Sequence, residues 1–425
     1  MLFAQHLIGN CLMLIRRGTM LPCRSKIFLA CFTAVALLFC FVATGTATQI
    51  GHRTLTFYDS ARNDRTVPAE VYYPSNQNGD DVPVSAGQFP LLVFAHGYQQ
   101  VLGDYHDLWE CLVPEGYIVV FPTTEGGLTI DIDEYAADLS FLLDSLLGKS
   151  SDKDLFLTGH LNGTSALMGH STGGGACYLA QKSDPTVHTI VTLAALGSLY
   201  WPIYGSSPIN AAKEVTVPGL VMAGGEDCIC PVKENQQAIY DNLTSSSKAL
   251  ITITQGDHCG FSDSSNCWIA EAARCGFLGQ GSTISEDLQM TLTLRYVLLW
   301  LDAILKGDEK SWASFQESLK QDQQVSYTLA GENDWPPNFL SAPVLSMETD
   351  KTIVSLFWNS ICGASAYTLF YAPYPYTGSI GSIDMGNQTG ISVNLWAGAA
   401  FYVAVKARNK NVSSNYSNII PVQVF

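Results

Sequence analysis

Residues 167–175 read Leu-Met-Gly-His-Ser-Thr-Gly-Gly-Gly, and the fold is decided there. The stretch carries a G-x-S-x-G motif at the end of an apolar run, residues 166–168, with a helix pattern following. Glycines at 169 and 173 permit the sharp, strained strand-to-helix turn that holds a serine hydroxyl, here Ser171, proud of a sheet. Alone, such a motif also arises as an ordinary glycine-rich turn; the strand–helix junction is what gives it meaning.

Working outward, residues 91–95 (LLVFA) and 117–121 (YIVVF) are continuous apolar runs, as in strands buried on both faces. Residues 67–73 (VPAEVYY) alternate in the manner of an edge strand. Leu139, Leu142, Leu143 and Leu146 fall at helical spacing on one face of an amphipathic helix. Further strands are expected at 189–195, 219–223 and 250–254, and a helix over 285–306 closes the set. Alternation of this kind gives an α/β fold, a mainly parallel sheet covered by helices, with ligands beyond the carboxyl ends of its strands.

The 425 residues hold 22 Lys+Arg against 38 Asp+Glu, a net charge of −16. That sign repels phosphate backbones and anionic lipid, and no basic stripe offsets it, so no nucleic-acid partner is expected. A hydrophobic fraction of 47% excludes a disordered chain. Residues 27–43 are apolar, follow Arg24 and Lys26, and precede Thr44, Gly45, Thr46 and Ala47. This is the order of a secretory signal, residues 1–47, cleaved after Ala47, so the protein is expected to be secreted or periplasmic. The alternative is an uncleaved anchor, for which the run is short. Cys11, Cys23, Cys31 and Cys40 would leave with the signal; those remaining in an exported chain point to disulfides.

The texture changes after Lys306. The α/β domain is expected over 48–310 and a linker over 311–342, polar and in places helical, then proline-bearing. Residues 343–425 show short alternating strands and form a small all-β sandwich. With Trp358 on an early strand and Tyr402 on a later one, this part resembles a fibronectin type III domain. Its expected role is spacing or contact with a cell surface or polysaccharide.

Ser171 makes demands on the rest of the chain, because the order in this architecture is serine, acid, histidine. Beyond Ser171 there are two histidines. His188 stands at the amino end of a strand, whereas His258 follows one, in Gln255-Gly-Asp-His-Cys-Gly260, and is the expected base. Glu226 and Asp227 follow the strand at 219–223; Asp227 suits a fixed bond to the imidazole and Glu226 is the alternative. Asp257 reads as a turn former. A tetrahedral intermediate also needs two N–H donors. These are expected from Thr172, after the nucleophile, and from Tyr98 in His96-Gly97-Tyr98, after the strand at 91–95. His170 and His96 are expected to pack or hydrogen-bond locally.

These stretches, with Gly225-Glu-Asp-Cys-Ile-Cys-Pro231 and Ala238-Ile-Tyr-Asp-Asn-Leu243, resemble the α/β-hydrolase fold in its dienelactone hydrolase-like branch, which includes cutinase-like polyester (PET) hydrolases and chlorophyllases. The resemblance implies a Ser171–His258–Asp227 triad with Tyr98 and Thr172 as oxyanion donors, a serine esterase without metal or cofactor, and a small or polymeric ester as substrate. A serine in place of the cysteine of dienelactone hydrolases implies ordinary esters. Polyester hydrolases carry a tryptophan after the sixth strand; Gly197 falls about there and Trp201 stands nearby. Cys228, Cys230, Cys259, Cys267 and Cys275 crowd the acid and base loops. Because some polyester hydrolases join these loops by a disulfide, the resemblance implies a bridge from Cys228 or Cys230 to Cys259. The rival is a metal site built on the same cysteines and histidine. Other readings of the whole are a peptidase or amidase with the same triad, or a non-catalytic surface-binding protein on a hydrolase scaffold.

Overall fold

The computed structural model describes residues 49–148, 156–181, 186–264, 267, 283–331, 340, 342–359, 361, 364–375, 378–409, 413–414 and 416–424. The signal expected over residues 1–47 lies outside them. The strands of the larger unit are β1 (Gln49–Asp59), β2 (Arg65–Ser75), β3 (Gly79–Asp80), β4 (Phe89–Ala95), β5 (Ile118–Pro122), β6 (Ile130–Asp131), β7 (Leu161–His170), β8 (Thr189–Leu193), β9 (Ile203–Tyr204), β10 (Gly219–Gly224), β11 (Lys248–Ile253) and β12 (Val325–Ala330). All but β6 and β9, which pair with each other, form one sheet in the order β12-β11-β10-β8-β7-β4-β5-β2-β1-β3. Pairings from β5 through β4, β7, β8 and β10 to β11 are parallel. β2 joins β5, and β12 joins β11, antiparallel.

Strand alternation explains why the central runs are apolar throughout. Val93, Leu167 and Val221 face one core with Leu139, Tyr178 and Ile239, while Leu92, Phe94, Met168 and Met222 face another with Leu108, Tyr296, Trp300 and Phe315. Helices α1 (His106–Leu112), α2 (Ile132–Gly148), α3 (Ser171–Gln181), α4 (Pro208–Ala212), α5 (Gln236–Asn242), α6 (Glu286–Lys306) and α7 (Glu309–Gln321) supply these partners. α6 starts at Ser285, whose side chain accepts from Leu288 N–H, and stops at Gly307 with φ 69°.

Three expectations change. β2 is no edge strand: it lies between β1 and β5, and its alternation reflects one well-covered face and one half-covered face. Residues 311–330 are not linker. α7 buries Trp312, Phe315 and Leu319 in the core under the sheet, and β12 extends the sheet itself. The third concerns the C-terminal strands β13 (Leu345–Asp350), β14 (Ile353–Trp358), β15 (Ala366–Pro373), β16 (Gly381–Gly386), β17 (Gly390–Asn394), β18 (Ala400–Arg408) and β19 (Ile420–Gln423). They form two antiparallel sheets, β13-β14-β17 and β16-β15-β18-β19. Trp358 is in the core between them, as expected. Tyr402 is half-buried against Tyr374, and the tyrosine that packs on Trp358 is Tyr367.

Candidate active site

β7 ends at His170 and α3 begins at Ser171, which takes φ 54°, left-handed for a residue with a side chain. Two glycines make the turn possible by close approach. A Cβ on Gly169 would sit 2.6 Å from the Gly173 backbone, and one on Gly173 would sit 2.2 Å from the Ala95 carbonyl oxygen. α3 is thereby pressed onto the end of β4, and the loop bearing Tyr98 meets the first turn of the helix that bears Thr172.

The loops after β10 and β11 bring Asp227 and His258 to the same rim. Ser171 Oγ lies 2.9 Å from His258 Nε2, and His258 Nδ1 lies 2.8 Å from Asp227 Oδ2. All three residues are buried. The other carboxylate oxygen of Asp227 accepts N–H bonds from Ile229 (2.8 Å) and Cys230 (2.7 Å), which fixes the acid. With Nδ1 donating to the carboxylate, Nε2 is left to accept the serine proton. Glu226 is half-exposed and its backbone N–H bonds Gly256 O (2.8 Å), tying the acid loop to the base loop. Asp257 does form the turn expected of it, accepting from Gly260 N–H (2.9 Å). His188 lies at the opposite end of the sheet from Ser171, beside the start of β8. Tyr98 is half-buried and donates its hydroxyl to Leu128 O (2.9 Å); Thr172 is buried.

The cysteine pairing implied by the family is corrected. Cys259 is bonded to Cys267, with Cα atoms 5.6 Å apart, so it cannot bridge to Cys228 or Cys230. Cys228 is also disulfide-bonded, and Cys275 lies outside the described residues. Register between acid and base is held by backbone instead: Gly225 N–H bonds Ile253 O (2.8 Å), and a Cβ on Gly224 would lie 2.5 Å from Asp257 O. The metal alternative loses Cys259 as a thiolate for the same reason, and no metal-holding group of three or more ligating side chains occurs among the described residues. A tryptophan could not stand at Gly197, where even a Cβ would meet Asn235 Cα at 2.9 Å. Trp201 is 87% exposed.

His170 does more than the sequence suggests. Its Nε2 lies 3.1 Å from His258 O, and its Nδ1 lies 2.9 Å from Gln100 Oε1. The Tyr105 hydroxyl stands 3.0 Å from the same Nδ1 and accepts from Gly97 N–H (2.8 Å). That hydroxyl donates to Gln100 Oε1, and Gln100 Nε2 donates to Ser262 Oγ. Burial, reinforced by the neighbouring His258, holds the His170 pKa well below its ordinary 6.5, so the ring is neutral. One buried hub therefore joins the Gly97–Tyr98 loop, the serine turn and the histidine loop. Its signal in the sequence was the set of polar residues Gln100, Tyr105 and His170 beside two apolar strands.

The class of the protein follows from the sheet order and from what stands at its rim: an α/β-hydrolase fold with a serine, a histidine and an aspartate in contact. Comparison narrows this further. Residues 61–275, half of the chain, match the PET hydrolase-like (PETase) family, and the chain belongs to it. It is 30% identical over 190 residues to a bis(hydroxyethyl) terephthalate hydrolase of Streptomyces coelicolor, covering 44% of this chain and 54% of that protein. Cutinase est1 of Thermobifida alba is 25% identical over 192 residues (44% and 56%), and cutinase 1 of Thermobifida cellulosilytica 24% over 191 residues (44% and 64%). The chain thus spans little more than half the length of these curated relatives.

Proposed function

We propose that this protein is an exported serine carboxylester hydrolase working through an acyl-enzyme. Ser171 Oγ attacks the ester carbonyl as His258 Nε2 takes its proton; Asp227 orients the imidazole and stabilises its cation. The carbonyl π electrons move onto oxygen, held by the N–H groups of Thr172 and Tyr98. His258 then protonates the leaving alcohol, and water enters through the same base to free the acid. The 2.9 Å and 2.8 Å contacts linking Ser171, His258 and Asp227 carry this reading. The substrate proposed is an ordinary carboxylic ester, the chemistry shared by the terephthalate diester and the cutin of the relatives' names.

Export is supported by the apolar run at 27–43 and by the Cys259–Cys267 bridge, which persists in an oxidising compartment. The domain division we propose is a catalytic unit from about residue 48 to about 330 and a fibronectin type III-like module from about 343, for which the three- and four-stranded sheets around Trp358 are the support. Replacing Ser171 by alanine is expected to lower kcat on a p-nitrophenyl ester by about 10⁴- to 10⁶-fold and to abolish labelling by a fluorophosphonate. Near-normal turnover in that variant overturns the assignment, and amide hydrolysis as fast as ester hydrolysis would make the enzyme an amidase.

A further inference from the structure

The first turn of α3 reads Ser171-Thr172-Gly173-Gly174-Gly175, so beyond the nucleophile Thr172 alone carries a side chain. Thr172 is 1% exposed, and its Oγ1 is buried with no hydrogen-bond partner among the described residues. A buried hydroxyl left unmatched is destabilising, and valine of the same shape would avoid that. Helix capping does not account for it: a capping threonine accepts from an N–H of the first turn, and this oxygen takes part in no bond.

Covalent geometry bounds how far the hydroxyl lies from its own backbone nitrogen. Oγ1 is three bonds from the Thr172 nitrogen and stays within roughly 3–4 Å of it in every staggered rotamer. That nitrogen begins a helix whose first N–H groups have no preceding carbonyl, where partial positive charge favours an anion. A rotamer that turns Oγ1 to the side of the N–H brings the hydroxyl within reach of an oxygen held there, its proton free to rotate toward it.

We infer that the side chain of Thr172 is a third oxyanion donor: its hydroxyl, idle in the free enzyme, donates to the carbonyl oxygen as charge develops there. This rests on the proposed serine mechanism and extends it. As the Ser171 Oγ–carbon bond forms, the π pair moves to oxygen and the serine proton goes to His258; the hydroxyl transfers no proton and forms no covalent bond. Because the interaction strengthens only as the oxygen becomes negative, it acts on kcat rather than on ground-state binding.

The experiment compares Thr172→Val and Thr172→Ser with wild type on a p-nitrophenyl ester, with Ser171→Ala as control. Valine is expected to lower kcat about 10- to 100-fold at a KM within about twofold, serine to keep kcat within about threefold. Thermal stability of Thr172→Val should equal or exceed wild type, because the variant removes an unmatched polar group. An alkylboronic acid, tetrahedral on Ser171, should bind Thr172→Val at least about tenfold more weakly. Wild-type turnover in Thr172→Val beside an inactive Ser171→Ala overturns this inference alone; full activity in Ser171→Ala overturns the serine mechanism beneath it. Should valine not fold, Thr172→Ala against Thr172→Ser makes the same comparison, and equal kcat in the two overturns the inference.

Discussion

At the scale of the residue, the histidine loop and the Gly97–Tyr98 loop depend on one phenol. Tyr105 has no place in the chemistry, yet its hydroxyl joins Gly97 N–H to His170, and His170 in turn holds the backbone carbonyl of His258. Tyr105→Phe keeps the ring packed against Phe94 but strands the buried Gly97 N–H and takes a donor from Gln100 Oε1. We expect a stability loss of about 1–3 kcal/mol by denaturant titration. We also expect kcat to fall about tenfold, because donor and base both shift slightly; unchanged kcat at lowered stability would reduce the hub to a structural role. That Ser171, His258 and Asp227 meet was legible in the sequence because motif, chain order and position after a strand each remove candidates. The hub was not, since Tyr105 and His170 meet only where β4 and β7 are neighbours, and strand adjacency is not encoded locally.

At the scale of the element, the sequence placed the central strands well because burial on both faces leaves continuous apolar runs. It lost the domain edge for a physical reason. α7 is polar on its outer side, with Glu309, Lys310, Glu317 and Lys320, and buries a narrow stripe, so its composition resembles a connector. Trp312, Phe315 and Leu319 nevertheless recur at helical spacing in one core, where Trp312 packs on Trp300 and Phe315 on Trp300 and Tyr296. β12 is harder still, since as an edge strand it buries Val325 alone. The consequence can be tested by truncation. A 48–331 fragment should remain folded and hydrolyse esters, whereas a 48–310 fragment loses three large buried side chains, about 1.5–3 kcal/mol each, and bares the edge of β11. We expect the shorter fragment to aggregate or to melt well below the longer one by scanning calorimetry; equal melting temperatures would return α7 and β12 to the status of a connector.

For the whole molecule, the question is how a chain of net charge −16 holds together as the pH falls. Acidification relieves repulsion between carboxylates, but two buried histidines work in the other direction. His188 has its pKa pushed down from 6.5 to about 4 by burial, against a hydrogen bond from its ring to Thr186 O (2.8 Å), and His170 is also held far below 6.5 by burial. Both rings are neutral when folded at neutral pH, while in the unfolded chain each takes up a proton near pH 6.5. The unfolded state thus binds more protons below that pH, and stability present above 6.5 is lost as the pH falls, for His188 until the folded ring itself protonates near 4. A shift of this size amounts to roughly 3 kcal/mol at full effect. Replacing His188 by asparagine, which keeps a donor for Thr186 O but cannot titrate, should flatten the decline in melting temperature between pH 7 and pH 4.5. Ester hydrolysis at pH 7.5 should be unaltered, because His188 stands at the amino end of β8, away from Ser171. If wild type and His188→Asn lose stability in parallel over that range, the buried ring is not what makes the fold sensitive to acid.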